Sequence, residues 1–432
     1  MPEAAPPVVR SDIAIVGAGP AGIAAAVAAT GAGRRVCLID ANVRPGGQIW
    51  RHHVQAQLPS AARRWIARLN RPGLDLMLEA SVVDAGPGTT LGIMWRGAAV
   101  RLEADAIILA TGAQELFLPF PGWTLPGVLG VGGAQALLKA GMDVRGKRVA
   151  VAGTGPLLLP VAASLARAGA NLQLVAEQAP AARMREFAGS LWRSPGRLAQ
   201  AAAYRAAFPL VRYRWGTWVK RVDPHAGALR VTYTDGGSTW AEIRDLLCTA
   251  AGLVPSTDLA ELLGCRLESD AVAVDHLQAT TVPGVYAAGE PTGNTGVDAA
   301  LLEGTIAGLA AAGRGDAAGR HLTAREGHRA FSARVARAFE LRPELLERAE
   351  AETILCRCED VPCSAVEPGW SLREAKLARR VGMGACQGRI CATALRRLRG
   401  IAPDTRRPPL TPVPVGVLAD LAGSNRLSGG AS

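Results

Sequence analysis

The stretch SDIAIVGAGPAGIAAAVAATGAGRRVCLID, from Ser11 to Asp40, narrows the choice of fold more than any other part of the chain. Ile13–Val16 is short, apolar and β-branched, as a buried strand is, and it runs straight into the spacing G-x-G-x-x-G at Gly17, Gly19 and Gly22. The first glycine permits the tight turn, and the second lets bare backbone approach a pyrophosphate. The third lets the following helix pack closely on the sheet. Pro20 and Ala21 open that helix, whose N-terminal N–H groups favour an anion. Asp40 lies 23 residues after Gly17, at the end of the next apolar strand, where a carboxylate can accept a hydrogen bond from a ribose hydroxyl. Strand, helix and acid in this register predict a dinucleotide site.

Three later segments say which dinucleotide. RPGGQIW places Gly46, Gly47 and Gln48 just beyond Asp40, where a close-approaching backbone suits an extended FAD better than NAD. AIILATGA puts Ala110, Thr111 and Gly112 at the end of another apolar strand, and VPGVYAAGE puts Gly289 and Glu290 at the end of a late one. Together these segments resemble the two-dinucleotide-fold flavoproteins. That resemblance implies an α/β architecture with the FAD-binding domain split around an inserted Rossmann-like domain, here 10–120 and 250–315 around 121–249. In such proteins the late strand ends in Gly-Asp and the acid binds the ribityl chain; here it ends in Gly-Glu.

The inserted segment repeats the pattern from Val149 to Glu177, with Gly153 and Gly155 at the first two glycine positions and Glu177 near the ribose-acid position. Leu158 stands near the third glycine's place, where it should push the helix off the sheet and crowd a pyrophosphate. The expectation is a retained fold with a degenerate NAD(P) site. A thioredoxin-reductase-like activity needs a C-x-x-C dithiol in this domain, and there is none.

Five of the eight cysteines crowd into the last fifth of the chain. Cys356 and Cys358 sit two apart in TILCRCEDV, on the same side of an extended segment. Ser371 and Glu374 form a capping box for a helix stopping at Gly382, and Cys391 falls in the first turn of a second helix. The pattern C-x-C, 27 intervening residues, then C-x4-C supplies four thiolates, enough for zinc or an iron-sulfur cluster. Structural zinc sites usually read C-x2-4-C in both halves, and a chain with a flavin site has a use for a one-electron relay, so a 2Fe-2S cluster on Cys356, Cys358, Cys386 and Cys391 is expected. Cys363 is the spare, read as a packed neighbour. Cys37, Cys248 and Cys265 lie in apolar surroundings and are expected to be buried.

Taken with PGGQIWR, LPFPGWTLPGV, GTGPLLLPVA and GLVPSTDLAELLGC, the segments CRCEDV and GMGACQGRIC resemble the larger, FAD-binding subunit of hetero-oligomeric dye-linked opine, D-hydroxyproline and proline dehydrogenases, with hydrogen cyanide synthase and heterotetrameric sarcosine oxidase as relatives. The C-terminal part resembles the bacterioferritin-associated-ferredoxin-like 2Fe-2S domain, whose ligands carry over onto the same four cysteines. The resemblance implies a hetero-oligomer with a smaller FAD-dependent, substrate-oxidising partner subunit of the sarcosine-oxidase-beta kind, and it leaves room for FMN at a subunit interface and for a third small subunit. It also implies a helical linker over 316–350, a cluster domain over 351–402 and an extended proline-rich docking tail over 403–432. A substrate-oxidising partner explains why no acid-base constellation stands out in this chain; His52 and His53 read as packing or a flavin-edge contact.

Composition closes off other classes. The 432 residues are too many for one core, and the net charge of +11 comes without the aromatic-interleaved basic stripe of a nucleic-acid reader. No signal h-region or membrane-spanning run is present, so a cytoplasmic protein is expected. A stand-alone NAD(P)H-dependent reductase and a non-catalytic nucleotide-binding scaffold are the alternatives to an electron-transfer subunit.

Overall fold

The computed structural model describes residues 6–52, 58–293, 296–401 and 406–427. The elements that position the sites are, in chain order, β1 (Val8–Val16), α1 (Pro20–Gly31), β2 (Val36–Asp40), β3 (Ala98–Leu109), β4 (Arg148–Gly153), α2 (Leu158–Arg167), β5 (Asn171–Glu177), β6 (Leu246–Ala250), β7 (Val285–Ala287), α3 (Val297–Ala311), α4 (Leu322–Ala338), β8 (Ile354–Cys356), α5 (Leu372–Arg379), α6 (Cys391–Arg399) and α7 (Val415–Leu427). They divide into two compact units, one of 1–114, 254–332 and 405–432, the other of 115–253 and 333–404.

The first unit is built on a seven-stranded sheet in which β2, β1, β3 and β7 lie side by side and parallel. Toward their carboxyl ends all four are apolar and largely buried, as a parallel sheet covered on its faces requires. Their carboxyl ends therefore share one edge, and β1 and β3 leave it in opposite directions, the place where open α/β sheets bind ligands. On one face α1 packs against both the sheet and α3, and small residues make that possible. A Cβ on Gly304 would sit 2.0 Å from the Ala21 carbonyl oxygen, and one on Gly308 2.3 Å from that of Ala25.

The second unit carries a five-stranded parallel sheet ordered Arg212–Trp215, β5, β4, β6 and Val128–Gly130, backed by an antiparallel three-stranded sheet. The segment after α4 belongs to this unit, where Leu355, Cys363, Val366, Leu395 and their neighbours form a small core of their own.

Two expectations about organisation need correction. The linker expected over 316–350 is divided between the units, its second half joining the inserted fold. The expected docking tail packs on the first unit instead. Leu410 N donates to Val83 O at 2.9 Å, Arg406 pairs with Asp258, and Val417 and Leu421 of α7 are buried against Val83 and Ala99. Apolar residues at 410, 413, 417 and 421 give the tail a face to bury, which its prolines concealed.

Because the Gly304 contact is backbone against backbone, Gly304→Ala must part α1 from α3. The expected cost is about 1–3 kcal/mol, as for other over-packed cores, read as a lower denaturant midpoint with an unchanged slope.

Candidate functional site

At the carboxyl edge of the first sheet the glycines divide by role. Gly17 turns with φ +107, and a Cβ there would lie 2.2 Å from the Ala110 carbonyl oxygen; one on Gly22 would lie 1.8 Å from that of Gly17. These two serve the packing of the turn. Gly19 differs, because its nearest neighbour is the Gly47 Cα at 4.0 Å, so the absence of a side chain keeps open space in front of the helix. Pro20 and Ala21 begin α1 behind Gly19 with no side-chain cap, leaving the helix N-terminus to a ligand. Gly46 N donates to Ala18 O at 2.8 Å and Gly47 lies against Gly19, which folds the 46–50 loop over the turn with Gln48 exposed and Trp50 buried. Half-buried Asp40 accepts from Ala18 N at 2.6 Å through Oδ2, and from the backbone and side-chain nitrogens of Asn42 through Oδ1.

The ends of β3 and β7 complete the edge. Ala110 N donates to Val16 O at 2.8 Å, the Thr111 hydroxyl donates to Ser256 O at 2.7 Å, and Gly112 follows with φ +75. Gly289 has φ +79, and its N–H donates to Glu303 Oε2 at 3.0 Å. Burial pushes the Glu290 carboxyl above the usual range, partly opposed by a hydrogen bond from the Ala113 N–H. Sequence reasoning missed Glu303. It is 1% exposed, and it also accepts from the Thr292 hydroxyl at 2.9 Å and pairs with Arg329, fixing the turn that carries Glu290. A lone acid inside the small-residue helix ALLEGTIAG was the available signal. His52 Nδ1 lies 3.4 Å from Arg44, and its Nε2 is buried without a partner. His53 lies outside the described residues.

The inserted fold repeats this geometry and then closes it. Gly153 presses on Ala250 as Gly17 does on Ala110, yet α2 begins at Leu158, five positions after its first glycine, where α1 begins three after Gly17. Leu158 does not push the helix off the sheet, as expected from sequence. It is fully buried among Val149, Val151 and Val161, and a longer turn makes room for it. Glu177 accepts from Gly155 N at 3.0 Å and Ala179 N at 2.9 Å, using both oxygens while fully buried, and burial raises its pKa to about 7. Cys248, the one cysteine between 115 and 253, is buried with its pKa pushed up to about 12 by desolvation.

In the C-terminal segment β8 ends at Cys356, so Cys358 sits in the hairpin turn rather than on the same extended strand. Cys356 and Cys391 are buried, Cys386 is half-buried and Cys358 is exposed. The Ser371–Glu374 capping box forms, but α5 ends at Arg380 with φ +61, two residues before the expected stop at Gly382. Gly384 lets the loop close on the hairpin: a Cβ there would lie 2.2 Å from the Cβ of Cys358. The Cys386 N–H donates to the Cys358 sulfur, yet burial and the neighbouring thiols of Cys386 and Cys356 raise the Cys358 pKa overall. Burial and the thiols of Cys356 and Cys386 raise that of Cys391. The four cysteines thus meet as neighbouring pairs. Among the described residues no group of three or more Cys, His, Asp or Glu side chains has the arrangement of a metal site. Cys363 packs in the small core, with Arg399 on its carbonyl.

The sheet order, the glycine turn and the acid at its edge define an α/β flavoprotein oxidoreductase fold, and residues 11–312 match the pyridine nucleotide-disulphide oxidoreductase family, to which the chain belongs. Within that family it is similar to an opine oxidase subunit of Rhizobium meliloti (strain 1021), 32% identical with 95% of this chain and 98% of that protein covered. The hydrogen cyanide synthase subunit HcnB of Pseudomonas aeruginosa is 30% identical, with 94% and 98% covered. The fold is similar to that of L-proline dehydrogenase from P. horikoshii, with a TM-score of 0.66, 20% identity, and 96% and 81% of the two chains covered. Among the described residues no helix is long and apolar enough to cross a membrane.

The folded-state pKa of Glu177 lies above its ordinary value of 4.5, so its contribution to stability is present below about pH 4.5 and is lost as pH rises through about 7. The wild-type protein should therefore lose up to about 3 kcal/mol relative to Glu177→Gln across that window. Denaturant unfolding of both proteins at several pH values checks this, and parallel profiles would refute it.

Proposed function

We propose that the chain is the FAD- and 2Fe-2S-carrying subunit of a hetero-oligomeric amino-acid or opine dehydrogenase. A smaller FAD-dependent partner subunit oxidises the CH–NH donor, and this chain passes the electrons to an acceptor. The observation that supports this reading is that the dinucleotide-type edge of the first sheet and the four cysteines meeting as pairs occur in one chain. Similarity along nearly the whole chain to the opine oxidase protein and to HcnB, both named as subunits, supports membership of a complex. FMN at a subunit interface and a third small subunit fit the same reading.

At the first site, Gly19 leaves bare backbone and Pro20 and Ala21 an uncapped helix N-terminus for the pyrophosphate, while Gly17 and Gly22 close the turn that holds them there. Asp40 is accessible to a ribose, and Gly46, Gly47 and Gln48 border the same space. Ala110, Thr111, Gly112, Gly289 and Glu290 occupy the neighbouring strand ends that a ribityl chain and isoalloxazine would reach. At the second, Cys356, Cys358, Cys386 and Cys391 are soft donors; burial and the neighbouring thiols raise the pKa of Cys391, and that of Cys358 rises overall too, a cost that bound cations would remove. Bound together, the two groups supply the exchange between two-electron and one-electron transfer. This chain's residues hold, orient and shield them.

Two measurements test the reading. Gly19→Val meets only open space in the folded chain, so it should keep thermal stability within a few degrees while bound FAD falls below about a tenth of wild type, the branched side chain occupying the pyrophosphate path. Full FAD in that variant would overturn the placement. The complex purified without oxygen should contain two irons and two labile sulfides at this centre. Serine at any of Cys356, Cys358, Cys386 or Cys391 should abolish its reduced-state paramagnetic signal, and Cys363→Ser should leave it. Stoichiometric zinc, or loss only at Cys363, would show the centre to be wrongly assigned.

A further inference from the structure

The groove of the inserted dinucleotide fold is filled, and by the protein itself. Three positions of that fold would face a nucleotide: the residue between the paired glycines, the acid at the end of the second strand, and the residue after it. Thr154 is 4% exposed, and its hydroxyl donates to the carbonyl of Phe339 at 3.1 Å. Glu177 has both oxygens on backbone N–H groups and is fully buried. Gln178, fully buried, uses its side-chain amide as a backbone would: Nε2 donates to the Glu340 carbonyl at 3.1 Å, and Oε1 accepts from the Arg342 N–H at 3.1 Å.

The same segment is held along its length. Phe339 meets Phe187 edge-on with centroids 5.4 Å apart, Glu340 pairs with Arg183, and the Arg342 guanidinium lies 4.4 Å over the Trp218 ring. Leu345 and Arg348 line a small cavity with Gly153, Ala250 and Trp218. Arg348 has no carboxylate partner among the described residues. Its terminal nitrogens donate to the carbonyls of Val219 and Leu118, its Nε is buried unpaired, and it rests on Phe120, while burial lowers its pKa to about 9. A desolvated guanidinium in such a place is costly unless it holds something. It ties the strand residue Val219 and the loop residue Leu118 to the segment that leads into the cluster hairpin.

We propose that the cofactor groove of the inserted fold is a peptide-binding site whose ligand is the chain's own segment 339–348, bound in place of a pyridine nucleotide. Backbone amides of the segment take the hydrogen bonds that a sugar and pyrophosphate would take, and Leu345 fills the apolar end. The old nucleotide fold thereby becomes the clamp that seats the cysteine-bearing segment. Electrons then have no entry from NADH or NADPH through this domain. The inference rests on the proposed function only in taking the electron source to lie outside this chain.

The test compares the full-length wild-type protein with Thr154→Val/Gln178→Ala, which removes the three hydrogen bonds, and with Arg348→Met, which keeps the apolar stem and loses the two carbonyl contacts. Calorimetric titration of the wild type with millimolar NADH and NADPH should give no saturable binding. Digestion with subtilisin under native conditions, with cut sites mapped by mass spectrometry, should show 339–350 protected in the wild type. Cleavage there should be about tenfold faster or more in either variant, since each loses hydrogen bonds that hold the segment in place. Saturable pyridine-nucleotide binding by the wild type, or equal cleavage of all three proteins, would overturn the proposal. Neither readout involves electron transfer, so its failure leaves the FAD and iron counts above standing, and their failure leaves it standing.

Discussion

Backbone meeting backbone without a side chain between is the constraint on which the first unit depends. Gly17 lets β1 turn beneath Ala110, Gly22 lets α1 return over that turn, and Gly304 and Gly308 let α3 close on α1 from outside. Each approach leaves no room for even a methyl group, so the positions of the helix start and of four strand ends are fixed together. Glu303 extends the constraint to Gly289 through a buried hydrogen bond and ties the late strand into the same edge.

The two dinucleotide folds show how little separates a ligand site from a structural one. Asp40 and Glu177 each accept a hydrogen bond from the glycine turn of their own fold. In both the second oxygen is taken as well, by Asn42 and by Ala179, but Asp40 is half-buried beside an exposed loop whereas Glu177 is sealed. The difference is set by neighbours: Asn42 and the 46–50 loop on one side, Ala179 and the segment after α4 on the other.

Much of this was legible in the sequence because the signals were local. The first strand-turn-helix-strand, the capping box at Ser371 and the helix beginning at Cys391 each rest on residues a few positions apart, and each formed where expected. Prediction failed where the deciding partner was distant. Leu158 reads as an obstacle only if the turn keeps its usual length, and nothing within the motif reveals that α2 starts late. The tail reads as a free arm until Val83 and Ala99 supply the surface for Val417 and Leu421. Cys358 was placed on a strand by alternation, but the chain turns immediately after Cys356. Glu303 carried no motif at all, and its importance comes from a turn 14 residues upstream.

The packing of α7 has a consequence for how the protein is made. The first unit opens the chain, yet Leu410, Val417 and Leu421 from the chain's far end complete its packing, with the whole second unit translated in between. A ribosome releasing the chain from its N-terminus exposes the apolar surface around Val83 and Ala99 for almost the whole of synthesis. The inserted fold can assemble first, but the unit with the dinucleotide edge stays unfinished until residues 410–421 emerge. Removing residues 410–421 thus acts on strands translated long before them.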